Sequence, residues 1–225
     1  MYETVVVEAD GALGRLTLNR PEKLNPLSAE TLAEIAMAAQ WFNTQPHVKV
    51  VIVSGRGRAF SAGADLGTFA GQQDGDLRAA ADQGRLMAEA IESMRAVSIA
   101  AVQGWCVGGG LVLVAACDLR VAGESAQFSI PEVDLGIPLA WGGIPRLVRE
   151  IGPALTKELV MTCRPFDAAE AHSAGFLNRV VADEALDAAA MELANSLAQK
   201  ASHALFSTKR HVNAVTGQMV GAMRS

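Results

Sequence analysis

Thr4–Glu8 and Gly14–Asn19 are rich in β-branched side chains, and Asp10-Gly11 between these apolar runs is a turn signal. This pattern predicts a β-hairpin. After Pro21 to Pro26 the period changes: Ser28 is a suitable N-cap, and Leu32, Ile35, Ala36 and Ala39 recur at helical spacing, predicting a helix to about Phe42. Val48–Ser54 is a short continuous apolar run, as expected of a strand buried on both faces. The same grammar predicts a helix from about Gly75 to Arg95, a strand Ile99–Gln103, a helix Gly109–Ala116, a strand Leu119–Ala122 and an extended piece Gln127–Ser129. From Ile144 the pattern turns helical, through Ala154–Met161, Asp167–Ala174, Glu184–Lys200 and Ala204–Ala214, with one extended piece at Leu177–Val181. Strands alternating with helices predict an α/β fold, one domain with a core over residues 1–181 and a helical C-terminal region over 182–225.

Composition narrows the function more than the fold. Half of the 225 residues are apolar, enough for one core of ordinary size. The net charge of −5, with no long run of Lys or Arg, gives nothing to steer the protein to nucleic acid or anionic membrane, so a small molecule is the expected ligand. Cys106, Cys117 and Cys163 lack a C-x-x-C pair and sit among apolar residues, which points to reduced thiols and a cytoplasmic setting. The first residues, Met1-Tyr2-Glu3-Thr4, do not read as a signal peptide, and no apolar run approaches the ~20 residues that span a bilayer. His47, His172, His203 and His211 follow no metal-binding spacing and read as surface or capping residues; no metal site is expected.

Three segments carry candidate chemistry. Arg58-Ala59-Phe60-Ser61-Ala62-Gly63-Ala64-Asp65-Leu66 is a loop of small residues after the buried strand, where α/β folds usually bind ligands, although a plain turn has the same composition. Gly104-Trp105-Cys106-Val107-Gly108-Gly109-Gly110-Leu111 leads into an apolar helix whose first N–H groups lack internal partners and favour an oxygen gaining negative charge. Close helix packing is the other reading of these glycines; a dinucleotide loop fits poorly, because the G-x-G-x-x-G spacing is absent. In Phe128-Ser129-Ile130-Pro131-Glu132-Val133-Asp134-Leu135-Gly136-Ile137-Pro138, two carboxylates stand in an apolar stretch. Glu132, if withdrawn from water, would have a raised pKa suited to proton transfer; placed in the first turn of a helix, it would be solvated.

Together, in this order, the three segments resemble the crotonase (enoyl-CoA hydratase/isomerase) family. The resemblance runs from about Val5 to Val181 and rests on Asn19-Arg20-Pro21 with Leu24-Asn25, Ser61 to Leu66, Gly104 with Gly108-Gly109-Gly110, Cys117-Asp118, Gln127-Phe128, and Pro131-Glu132 with Leu135-Gly136. It implies a spiral of ββα units and an oxyanion hole for an acyl-CoA thioester made by the N–H groups of Ala64 and Gly109. It further implies CoA along Lys23, Leu24, Ala62, Asp65 and Leu66, and an acyl group near Val112, Ala140 and Trp141. No cofactor is implied, coenzyme A being part of the substrate. Trimers, often paired into hexamers, are the implied assembly. Family members run on past the equivalent of Ser225 with helices that complete the CoA pocket; Phe206 and Lys209 are the residues expected to serve in part here.

The resemblance also indicates which reactions the chain departs from. Hydratases of the family carry two glutamates, and the first position holds Val112 here, so a water is not held between two carboxylates in the usual way. Glu132 fills the second. One glutamate suffices for Δ3,Δ2-enoyl-CoA isomerisation, the expected reaction, with hydration at an altered site as the alternative. Dienoyl-CoA isomerases and an aromatic-CoA dehalogenase place an acid where this chain has Ala140, and Asp134 points elsewhere from Glu132. A non-catalytic acyl-CoA-binding protein is the competing class, and a pure binder has no need of Glu132.

Overall fold

The computed structural model describes residues 2–65 and 74–220, and the side chains of all of these but 74–81 and 220. The predicted hairpin is β1 (Val5–Asp10) and β2 (Leu13–Leu18), antiparallel with Asp10 opposite Leu13 across a two-residue turn. Four strands extend the sheet in parallel: β3 (Val50–Gly55), β4 (Val97–Val102), β6 (Leu119–Gly123) and β9 (Arg179–Val181), giving the order β1-β2-β3-β4-β6-β9.

The continuous apolar runs are explained by burial on two faces. Val51 and Val53 of β3 and Ala100 and Val102 of β4 enter the main core, whereas Val50, Ile52, Ile99 and Ala101 enter a second cluster. That second cluster is closed by Leu186, Ala190 and Ala194 of α6 (Leu186–Ala198). Helix α6, in the C-terminal region, therefore covers one whole side of the central strands.

The main core is packed by α1 (Ala29–Asn43), α2 (Asp74–Ser93), α3 (Gly109–Ala116) and α4 (Gly143–Thr162). Ser28 caps α1, its Oγ accepting from the Thr31 N–H at 3.2 Å. All eight residues of α3 are buried, so Gly109 is held inside the protein. Each of its Leu and Val side chains contributes about 1.5–3 kcal/mol relative to exposure.

Some elements differ from the sequence expectation. A second sheet, β5-β7-β8, is built from β5 (Trp105–Val107), β7 (Gln127–Ser129) and β8 (Phe166–Asp167); only β7 is apparent in the pattern, because runs of two or three residues show no periodicity. Helix α4 starts at Gly143, where the pattern turns helical, but runs on to Thr162 through a kink at Gly152 and Pro153. Asp167 caps α5 (Ala168–Ser173), with Oδ1 accepting from the Glu170 N–H at 2.8 Å.

The last helix, α7 (Ser202–Val220), is pinned to the sheet by Lys209. Its Nζ donates to Asp118 at 2.7 Å and to the Ala96 carbonyl at 3.1 Å, and the same Asp118 oxygen accepts from the N–H and hydroxyl of Ser98. Lys209 is thus an internal anchor, its ammonium committed to Asp118 and Ala96 rather than free to help complete a CoA pocket, the part expected of it. The three cysteines are free and buried, with burial pushing the Cys117 thiol up to about 12. No helix among the described residues is long and apolar enough to cross a membrane.

Candidate active site

The small-residue loop after β3 is held by buried polar struts. Ser61 Oγ donates to the Asn25 carbonyl at 2.8 Å and accepts from the Gly63 N–H at 3.1 Å, while the Ala62 N–H donates to the Leu24 carbonyl at 2.8 Å. Asn25, buried and with φ 53°, turns its amide onto the carbonyls of Arg56, Ala59 and Phe60 and accepts from the Arg20 N–H. The segment Lys23 to Asn25 therefore lies along the loop. A parallel bridge pairs Leu27 with Ala64, its two bonds using the Gly63 carbonyl and the Asp65 N–H. Among the described hydrogen bonds none uses the N–H of Ala64 itself.

The glycine-led helix meets this loop directly. A bridge joins Ser61 to Cys106, and a methyl group on Gly63 would stand 2.7 Å from the Val107 carbonyl oxygen and 3.7 Å from the Gly109 nitrogen. Gly108 caps α3 with φ 46° and ψ −112° and brings no side chain to the first turn. Among the described hydrogen bonds the Gly109 N–H likewise has no acceptor, as the first N–H groups of a helix lack one inside it. Two small-residue loops in contact thus each present an unused N–H, at Ala64 and Gly109, and the second carries the partial positive charge of the helix end.

The third segment folds as a single turn. The N–H of Ile137 returns to the Glu132 carbonyl at 3.0 Å, so Pro131–Gly136 does not continue as a helix. Asp134 points to solvent, but Glu132 does not: its carboxylate lies against Gly108, where a β-carbon would collide with Oε1. Among the described residues, the buried Glu132 Oε2 has no hydrogen-bond partner. Burial holds its pKa above the usual carboxylate range, opposed only by its own backbone N–H.

Trp141 closes the other side. Its indole lies where the β-carbons of both Gly109, on α3, and Gly84, on α2, would stand. A glycine inside a helix costs about 0.5–1 kcal/mol relative to alanine, and the ring accounts for Gly84 there. Trp141 adopts φ 59°, a conformation bulky residues rarely take, and it is fixed from outside. The Arg146 guanidinium donates to the Gly142 carbonyl at 3.0 Å and more weakly to that of Trp141, and pairs with Glu92 of α2 at 2.6 Å.

The remaining sequence-predicted residues fall out as follows. Val112 is fully buried, its Cγ2 within 2.9 Å of where a β-carbon on Gly143 would stand. Ala140 is exposed. Lys23 is exposed in a short 3-10 turn, Leu24 is half-buried beside it, and Asp65 pairs with Arg20 at 3.5 Å. Leu66 lies outside the described residues. All four histidines are exposed, and among the described residues no group of three or more His, Cys, Asp or Glu could hold a metal ion. Sequence reasoning did not single out the Ser61 hydroxyl, Gly84, Glu92 or Arg146 as part of the site. A glycine within the helical run at Gly84 is the one signal of such a contact.

Comparison with known proteins agrees with this architecture. The model of the enoyl-CoA hydratase/isomerase family matches residues 8–223. A probable enoyl-CoA hydratase of Mycobacterium bovis is 38% identical over 215 residues, covering 94% of this chain and 82% of that protein. A crotonyl-CoA hydratase of Syntrophomonas wolfei is 36% identical over 213 residues, with the same coverage of 94% and 82%. Among solved structures, enoyl-CoA hydratase subunit I of Geobacillus kaustophilus superposes with a TM-score of 0.91 at 37% identity, over 96% of this chain and 83% of that one. An enoyl-CoA hydratase of Bacillus anthracis gives 0.89 at 32%, over 97% and 89%. With its fold and nearly its whole length matched in this way, the chain belongs to the enoyl-CoA hydratase/isomerase family.

Proposed function

We propose that this chain polarises an acyl-CoA thioester between the N–H groups of Ala64 and Gly109 and uses Glu132 to move a proton on the acyl chain, converting a 3-enoyl-CoA to the conjugated 2-enoyl-CoA. The Glu132 carboxylate takes a proton from carbon 2, the electron pair delocalises onto the thioester oxygen, and the resulting acid returns the proton to carbon 4. The two N–H groups favour the oxygen most when it carries negative charge, which is the condition for lowering the barrier rather than only binding. CoA would lie along Lys23, Leu24, Ala62, Asp65 and Leu66, and a trimeric assembly accompanies this reading. The observation that carries it is the buried Glu132 Oε2, which has no hydrogen-bond partner among the described residues and lies beside a helix start with an unused N–H.

A second reading is hydration of a 2-enoyl-CoA, and what favours it is that the curated relatives are named enoyl-CoA hydratases. Against it stands Val112, an isopropyl group that neither orients nor deprotonates a water. Turnover of 3-enoyl-CoA and 2-enoyl-CoA by the purified protein separates the two. Isomerisation at least ~10-fold faster than hydration supports the proposal; faster hydration overturns it in favour of the second reading.

A further inference from the structure

We infer that Trp141 is the end wall of the acyl pocket and makes this site select short-chain over long-chain acyl-CoA thioesters. The inference rests on the reading of Ala64, Gly109 and Glu132 given above and adds a specificity determinant to it. The carbonyl oxygen at the Gly109 N–H and the carbon next to Glu132 fix where the acyl chain starts. Glu132 touches Gly108 and the indole of Trp141 touches Gly109, the next residue. A chain that begins between these two side chains meets the indole within a few carbons.

The indole is backed by α2. Behind it is the backbone of α2 at Gly84, so closely packed that a β-carbon there would overlap the ring. Its own backbone is held by Arg146, which bonds the carbonyls of Trp141 and Gly142 and is tied to α2 through Glu92. Ring, backing helix and clamp move together or not at all, and a closely packed interior yields little to an added methylene. Arg146 and Glu92 act as positioning residues, through Trp141.

The test is equilibrium binding of the saturated ligands butyryl-CoA and decanoyl-CoA, by calorimetry, to the wild-type chain, Trp141→Ala and Trp141→Phe. No catalysis is needed. Wild type is expected to bind butyryl-CoA at least ~10-fold more tightly than decanoyl-CoA, and Trp141→Ala to tighten decanoyl-CoA by ~10-fold without tightening butyryl-CoA. Trp141→Phe keeps an aromatic ring in the core, and should tighten decanoyl-CoA by about threefold even if the alanine variant does not fold. Equal binding of the two ligands by wild type overturns the inference and leaves the acyl-CoA reading standing. A chain-length ratio unchanged in the folded variants does the same. Binding of neither ligand by wild type overturns the acyl-CoA reading itself, and the inference with it.

Discussion

The carboxylate of Glu132 occupies the space that a side chain on Gly108 would need, so that the start of α3 and the Pro131–Gly136 turn fit together only with glycine at 108. Two unrelated requirements meet at that residue: a φ of 46°, and room for Oε1. Gly108→Ala is expected to cost about 1–3 kcal/mol of stability from backbone strain. It should also push the carboxylate out of line, lowering enoyl-CoA turnover by ~10²-fold. Urea unfolding and steady-state rates check the two effects separately.

The pH dependence follows from the burial of the same carboxylate. Its folded pKa lies above the unfolded one, so between the two the native state binds more protons and stability falls as pH rises through that window. Glu132→Gln is therefore expected to melt above wild type at about pH 8, the difference vanishing below about pH 3, where Glu132 is neutral in both the folded and the unfolded chain. Activity has the opposite slope. The proposed reaction requires the base form of Glu132, so kcat/KM for a 3-enoyl-CoA is expected to rise with pH through the folded pKa.

Asn25 is expected to matter as a strut. Asn25→Ala strands the backbone groups it serves at Arg20, Arg56, Ala59 and Phe60, in a buried place, and should destabilise the chain by about 3 kcal/mol. Chemical denaturation measures this, and hydrogen exchange should locate the loosening at Ser61 to Asp65.

Lys209 tests the anchoring of α7. Lys209→Met leaves Asp118 partly buried with only the Ser98 donors, and a loss of about 2–3 kcal/mol is expected. Turnover at saturating substrate should be unchanged, because Lys209 is turned into the protein; the melting temperature and kcat report on each.

Most of the fold is legible in the chain, because its central strands are buried on both faces and read as apolar runs at Val50–Val53 and Ile99–Val102. The site is legible only in part. Gly109, Ala64 and Glu132 lie in segments whose composition is unusual for their element, and that can be read locally. The clamp around Trp141 cannot. Arg146 looks like any arginine in the first turn of a helix, and its bond to Glu92 spans 54 positions of sequence. Short strands such as Trp105–Val107 exist because Gln127–Ser129 and Ser61, distant in sequence, pair with them. Lys209 shows the converse: its place on the tail helix suggests a part in the CoA pocket, yet it ends buried on Asp118.

The central claim is that Glu132 moves the proton, and the conversion of a 3-enoyl-CoA to its conjugated isomer by wild type and by Glu132→Gln tests it most directly. The account predicts that the folded variant loses ~10²–10⁴-fold in kcat while still binding the acyl-CoA. Equal rates in the two proteins, or a wild-type rate no faster than the uncatalysed reaction, would contradict it.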